Sequence, residues 1–442
     1  MYLKLLNSSV FTCFAYPVCS ALKRGNLFLL ASIFLLLVLC TGTNAQENWS
    51  RFHGPNGTGL ALEAELPSEI SESDFLWNVD LAGTGSSSPV VWGERLFVNS
   101  SDSESGKLTV QCLNAKTGEK NWAESFDSDI YKIHNRNSFA SGTPVVDKDH
   151  VYLAYAHPDQ IIVRALTHDG EKKWERALGT WVSSHGFAAS LMTYQDKLIL
   201  FNSQQAKKLP EGATPGTSNM IALSCKDGSD VWKTPRTPNR CSYSVPGIFT
   251  DKTGQDHLIG CNTRDGFFSL DPETGNENWS AMPFRMRTVA SILIADGLIV
   301  GSSGSGGGGN YLVAIRPDDK GANPEEVYQL QKANYVPSPV AVDGKLFFFT
   351  DKGVGRCVDL QTGDLHWQEI LARGFSGSPV ATKSHVYVMS ESGELFVIAA
   401  DSKYKLASSI SLGEDSRSTP AIAGGRLYLR TDSRLICVGE KE

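Results

Sequence analysis

One phrase recurs along this chain at spacings of about fifty residues, and recurrence on that scale restricts the fold to a repeat array. Residues 270–279 read LDPETGNENW: an apolar residue, a polar turn carrying Gly275, and a closing Trp279. Residues 113–122 (LNAKTGEKNW), 166–174 (LTHDGEKKW), 223–232 (LSCKDGSDVW) and 360–367 (LQTGDLHW) repeat it. A second phrase, a small residue leading into an apolar run and usually followed by Pro, precedes each unit. It occurs at Ser88-Pro89, Thr143-Pro144, Ala189-Ser190, Val245-Pro246, Ala290-Ser291, Ser338-Pro339, Ser378-Pro379 and Thr419-Pro420. Between the two phrases lie short β-branched and aromatic runs separated by Gly/Asp turns, such as Gly93-Glu94-Arg95 and Asp343-Gly344-Lys345, which read as hairpins. No sustained 3.6-residue pattern is present, so helical solenoids are excluded.

Four short antiparallel strands in a unit of about 40–55 residues is the period of a propeller blade. Where the Trp is missing, residues 327–330 and 406–412 supply the fourth strand. The last unit stops near Val438 with three strands, while residues 75–81 (FLWNVDL) have the Trp-led character of a fourth strand and precede the first unit. Pairing the two ends removes the exposed edges of an open array. The expectation is an all-β, eight-bladed propeller closed by residues 75–81, with seven blades if one unit lacking the Trp is an insertion. Residues 75–442 form that domain, and residues 46–74, opening WSRFHGPNGTG from Trp49, are an irregular lead-in packed on its surface.

The repeat Trp residues (Trp77, Trp122, Trp174, Trp232, Trp279 and Trp367) are read as wedges between blades rather than as ligand platforms. The turn glycines Gly118, Gly170, Gly228, Gly275 and Gly363 are expected at positive φ. Function is sought at the channel mouth, where the segments before each inner strand converge. They bring Arg136, His185, Arg240 with Tyr243, Arg287, Tyr335, Arg373 and Arg417. Such a basic ring would take a carboxylate-bearing ligand or an acidic segment of a partner, or would brace its own loops through Asp and Glu. The glycine run at 301–310 is not a phosphate cradle, because neither Gly-Lys-Ser/Thr nor a helix follows it. No Gly-x-Ser-x-Gly elbow, His-Glu-x-x-His, Cys-x-x-Cys or Asp-x-Asp-x-Asp loop occurs, so no catalytic or metal-binding residue is assigned.

The first 45 residues read as a cleaved export signal: Lys23 and Arg24, the apolar run 27–40, then Thr43-Asn44-Ala45. The run is short for a membrane span, and no transmembrane segment is expected after its removal. The surroundings of Cys40 make a poor lipidation site. The formal charge is −7, and the signal removes three basic and no acidic side chains, leaving −10. Nucleic acid is thereby excluded as a partner. The expected location is periplasmic or extracellular, with membrane association left open. Of the nine cysteines six lie beyond the signal, read as buried thiols, with Cys241–Cys261 the one pair to test as a disulfide.

The Trp phrase, best kept at residues 114–122, 271–279 and 359–367, together with the Ser-x-Pro-Val phrase, resembles the repeat of pyrroloquinoline quinone (PQQ) propellers over residues 75–438. Two branches of that family carry different implications. Quinoprotein dehydrogenases of alcohols or sugars imply PQQ with Ca²⁺ on the axis, an acidic base, a calcium site of Glu, Asn and Asp, a stacking Trp, and often a vicinal disulfide. This chain has no adjacent cysteines, and Trp181 is its one Trp near the mouth outside the phrase. BamB-type propellers imply a non-catalytic scaffold without a cofactor, acting with protein partners in outer-membrane protein assembly. The second branch is the expectation, with the dehydrogenase as alternative. A further alternative is binding of a small anion or polysaccharide at the mouth.

Overall fold

A computed structural model describes residues 48–441; the expected signal, its cleavage site and Cys40 lie outside them. Eight four-stranded antiparallel sheets form an eight-bladed β-propeller. Blade one is Val90–Trp92, Arg95–Ser101, Leu108–Asn114 and Lys120–Phe126. Blade eight takes Ala421–Ala423, Arg426–Arg430 and Arg434–Val438, and receives Phe75–Asp80 as its outer strand. Phe75 pairs with Val438 and Asp80 with Arg434, closing the ring. Both units without the Trp are full blades, so the seven-bladed alternative falls; their outer strands are Glu325–Gln331 and Leu406–Ser411.

Burial follows strand position. The middle strands, such as Leu298–Ser303, are buried throughout because a blade lies on each face. Outer strands such as Leu365–Ile370 bury only their central Trp367. The hydrophobic core is consequently divided into seven clusters, most of them layers between neighbouring blades. The six described cysteines are buried free thiols, Cys241 and Cys261 included; five lie in these layers, and Cys241 lies in the connector before blade four, its thiol on the Val182 carbonyl. Among the described residues no helix is long and apolar enough to cross a membrane.

The Trp phrase joins each blade to the next. Its leading Asn or Asp caps the turn: the Asp271 Oδ1 accepts the amides of Glu273 and Thr274 at 2.8 Å. The turn glycine then sits at positive φ, 72° at Gly275. A Cβ at Gly275 would lie 2.6 Å from the Trp232 ring of the preceding blade, and one at Gly118 would lie 2.8 Å from Trp77. Glycine is therefore required twice over, by φ and by the ring lying against it. Each indole Nε1 also donates to a carbonyl in the next blade: Trp122 to His168 at 2.8 Å, Trp174 to Cys225 at 3.0 Å, Trp232 to Pro272 at 3.1 Å. Tyr328 replaces the Trp in blade five and donates to the Leu360 carbonyl at 2.9 Å. Trp77 gives the closing blade the same link, to the Ala115 carbonyl of blade one at 3.2 Å. The joint from blade seven to blade eight has no such turn, because the outer strand of blade eight comes from the other end of the chain. The lead-in covers it: Ser408 Oγ donates to the Ser68 carbonyl and accepts the Ile70 amide.

The inner strands are joined by a belt of hydroxyls. The Ser88 amide donates to Thr143 Oγ1, Thr143 to Ser190 Oγ, Val245 to Ser291, Ser291 to Ser338, Ser338 to Ser378, Ser378 to Thr419 and Thr419 to Ser88, all at 2.9–3.2 Å. The chain of bonds breaks only where Val245 supplies no hydroxyl. This belt is the physical reason for Ser or Thr before the inner strand: each hydroxyl satisfies a buried amide of the preceding blade.

The lead-in does more than lie on the surface as expected. Trp49 exchanges two backbone bonds with Val91 of blade one, and the Ser50 carbonyl accepts the Val146 amide of blade two. Arg51 Nη2 donates to the Pro246 carbonyl of blade four at 2.8 Å. His53 Nε2 lies 2.7 Å from the Pro379 carbonyl of blade seven, on the other side of the ring. The segment thus crosses the axis at the end opposite the mouth, with Trp49, Arg51 and His53 almost fully buried. The reason is the unpaired polar backbone at the inner-strand ends, which the lead-in satisfies.

Candidate functional site

The axial channel holds a cavity of about 300 Å³ lined by residues from every blade. Its far end is floored by Phe52 of the lead-in, and its wall is the hydroxyl belt. Above the belt stand seven of the eight expected mouth residues: Arg136, His185, Arg240, Tyr243, Arg287, Tyr335 and Arg417. Arg373 is not among them. The amides of Leu371 and Ala372 donate to the Gly353 carbonyl, and the Gly374 carbonyl accepts the Glu391 amide. The turn is pinned to the rim and Arg373 faces solvent.

Blades six and seven contribute carboxylates instead. Asp351 lines the cavity. Glu391 pairs with Arg136 at 3.4 Å and accepts the Ser376 hydroxyl at 2.6 Å. Arg136 belongs to the connector between blades one and two, so this pair reaches over the mouth to blade seven. Burial, with Glu391 nearby, raises the Asp351 carboxyl despite the Arg136 guanidinium.

The other guanidiniums carry no such partner. Among the described residues no carboxylate pairs with Arg240, Arg287 or Arg417. Arg287 is 6% exposed; its Nε donates to the Cys241 carbonyl at 2.7 Å, its guanidinium lies 5.2 Å from the Tyr243 ring centre, and its Nη2 has no partner. Tyr243 is held by donating to the Gly186 carbonyl at 2.7 Å. His185 stacks on His134 with ring centres 5.1 Å apart. Burial, then Arg287, Arg240 and His134, lower the His185 imidazole to about 4, so it is neutral at physiological pH. His134, Asp351, Glu391, Phe52 and the belt hydroxyls are site residues that the sequence reading missed. The hydroxyls alone had a visible signal, since Ser or Thr stands at seven of the eight inner-strand steps.

The donors do not fit a calcium-held quinone. Among the described residues no three His, Cys, Asp or Glu side chains group to hold a metal ion. Asp351 is the one carboxylate among the residues lining the cavity, whereas Ca²⁺ takes six to eight oxygen ligands, several of them carboxylates. Trp181 does not face the cavity either; its Nε1 donates to the His157 carbonyl at 2.8 Å and its ring packs on Tyr131 and Phe187.

A family profile described as outer membrane protein assembly factor BamB matches residues 73–255, 221–404 and 350–441. The chain belongs to this family. No curated protein matches it in sequence. Among solved structures, BamB from Moraxella catarrhalis aligns with a TM-score of 0.59 at 14% identity, covering 86% of this chain and 99% of that one. A quinohemoprotein alcohol dehydrogenase from Comamonas testosteroni aligns at 0.65 with 11% identity, covering 91% and 82%. A europium-containing methanol dehydrogenase aligns at 0.55 with 14% identity, covering 80% and 89%. The family fold is thus shared by a BamB and by dehydrogenases, and at these identities the likeness is one of fold.

Proposed function

We propose that this BamB-family propeller is an exported scaffold without catalysis or a cofactor of its own, and that a protein partner meets it at the mouth face. The observation that carries the reading is the composition of the axial cavity: several guanidiniums against the one lining carboxylate of Asp351, neutral hydroxyls, and, among the described residues, no cluster of groups suited to a metal ion. Acyl transfer or metal-assisted hydrolysis would need a nucleophile–base pair or a ligand cage facing the cavity; the Ser184 hydroxyl lies 2.9 Å from His185 Nδ1, but Ser184 is not among the lining residues. The mouth also presents long connectors, 127–144 and 203–217, on a rigid ring, which suits recognition. Family membership supports a role beside envelope proteins.

The dehydrogenase reading keeps one favourable observation, since Arg240, Arg287 and Arg417 could meet the carboxylates of a quinone. One experiment separates the two. Photo-crosslinkers placed at Arg373 and Lys352 on the mouth side, and at Leu365 on an outer strand, are compared in cells. A discrete adduct from the mouth positions alone supports the scaffold. In parallel, purified protein receives PQQ and Ca²⁺ with alcohols and sugars; dye reduction with turnover overturns the non-catalytic reading.

A further inference from the structure

The belt hydroxyls have a second property. In each of Ser88, Thr143, Ser190, Ser291, Ser338, Ser378 and Thr419 the oxygen accepts a backbone amide of the neighbouring blade. Among the described residues none of these hydroxyls donates to a protein acceptor, and all seven line the cavity. A serine or threonine hydroxyl carries one donor hydrogen. The axis is therefore encircled by O–H donors whose partners must come from whatever fills the cavity. Directly above, among the described residues, lie Arg240 and Arg417 without a hydrogen-bond or ion-pair partner and the unpaired Nη2 of the buried Arg287, with Asp351 as the one lining carboxylate.

The two tiers ask for different chemistry from one occupant. The upper tier asks for an oxyanion, because guanidinium N–H groups match carboxylate and sulfate oxygens. The lower tier asks for acceptor oxygens distributed around the ligand's girth. A bare inorganic anion meets the first demand only. It is also too small, since a cavity of about 300 Å³ is at the lower end of small-molecule sites, while one water takes roughly 30 Å³. A compact aliphatic polycarboxylate would put charge against neutral hydroxyls. A pyranose bearing one acid group places an oxygen on nearly every ring carbon and a single charge at one end. Phe52 on the floor and Tyr243 on the wall add apolar faces for its C–H groups.

Access selects further. The lead-in crosses the far end of the channel, and the Arg136–Glu391 pair spans part of the mouth. A cup with one opening admits a free monosaccharide or the end of a chain, not the interior of a polymer. We propose that the axial cup binds a single acidic sugar unit, a hexuronate or a sugar sulfate. Its acid group meets Arg240, Arg287 and Arg417, and its ring oxygens accept from the hydroxyl belt. The site lies beneath the face assigned to a protein partner and does not depend on that assignment.

The test is calorimetric titration of the protein lacking residues 1–45 with glucuronate, glucose 6-sulfate, glucose, citrate and a glutamate-rich peptide. The expected result is 1:1 binding of at least one acidic sugar. Glucose and citrate should each bind at least ten-fold more weakly. The Arg240→Gln/Arg417→Gln variant should lose ten-fold or more in affinity for that sugar at unchanged melting temperature. Neither side chain has a hydrogen-bond or ion-pair partner among the described residues, so the variant should fold; if it melts early, Arg417→Gln alone carries the comparison. A tetrasaccharide ending in the same sugar, added as a further arm, tells a chain end from a free monosaccharide. Absence of binding by both acidic sugars overturns the proposal, as does citrate or the peptide binding as tightly. Peptide binding alone would overturn it while leaving the scaffold reading standing.

Discussion

At the scale of single residues, charge and proton state set the character of the cup. Two histidines sit where burial denies them a proton. His53 is fully enclosed in the lead-in, and burial lowers it to about 4 against the pull of the Gly57 and Pro379 carbonyls, with Arg51 adding to the depression. His185 is lowered to about 4 by burial and by Arg287, Arg240 and His134. In the unfolded chain both titrate near 6.5. Between about pH 6.5 and 4 the unfolded chain then binds more protons than the folded one, so stability falls as pH is lowered through that window. We expect the melting temperature to drop between pH 7 and pH 4.5, and the drop to be smaller in His185→Asn. A flat profile in the unmodified protein, followed by differential scanning calorimetry, would contradict the assignment. Arg373 and Asp351 show the limit of sequence reading at this scale. Both stand in loops on the mouth side, and only the turn held at Gly353 decides which of the two faces the axis.

At the scale of elements, the blades are held by two rings of contacts, one at each radius. The outer ring is the indole or phenol of each blade but the seventh lying against the turn of the next. Its physical content was legible, because a Gly and a Trp at fixed separation leave a periodic trace. The inner ring is the hydroxyl belt. Its residues were visible as Ser or Thr before seven of the eight inner strands, yet their purpose was not, since the amide each one satisfies belongs to another blade, 40 to 55 residues away in sequence for six of them and 331 for Ser88. Thr143→Val keeps shape and removes the acceptor of the Ser88 amide. Leaving that buried amide unpaired should cost about 1–3 kcal/mol, read from urea unfolding. The same substitution at an exposed threonine, Thr274, should cost far less. Equal effects at both positions would mean that the belt contributes nothing to stability.

At the scale of the whole molecule, closure is the step that makes one rigid ring of eight units. Phe75–Asp80 completes blade eight, and Trp77 then carries the joint to blade one. Removing residues 46–81 would expose the edge of Arg434–Val438, unseat Trp77 and strip the lead-in from the axis. We expect that truncation to yield aggregated or proteolysed protein. The milder Trp77→Ala should remain folded but lose about 3–5 kcal/mol. A truncated protein that stays monomeric and melts as before would show that the ring does not need its clasp.

The sequence by itself determined the class of fold and the manner of closure, and it pointed to eight blades with seven as the alternative. Each of these follows from local patterns repeated along the chain, and a turn such as 271–279 closes on itself whatever surrounds it. The tertiary structure alone decided what the cup contains. Its residues come from every blade, and their convergence depends on how loops settle: one arginine stays at the rim, one carboxylate turns in, and a polar lead-in crosses the axis by bonding to backbone carbonyls. Backbone acceptors are the same at every residue, so contacts made to them leave no mark in the sequence that supplies them.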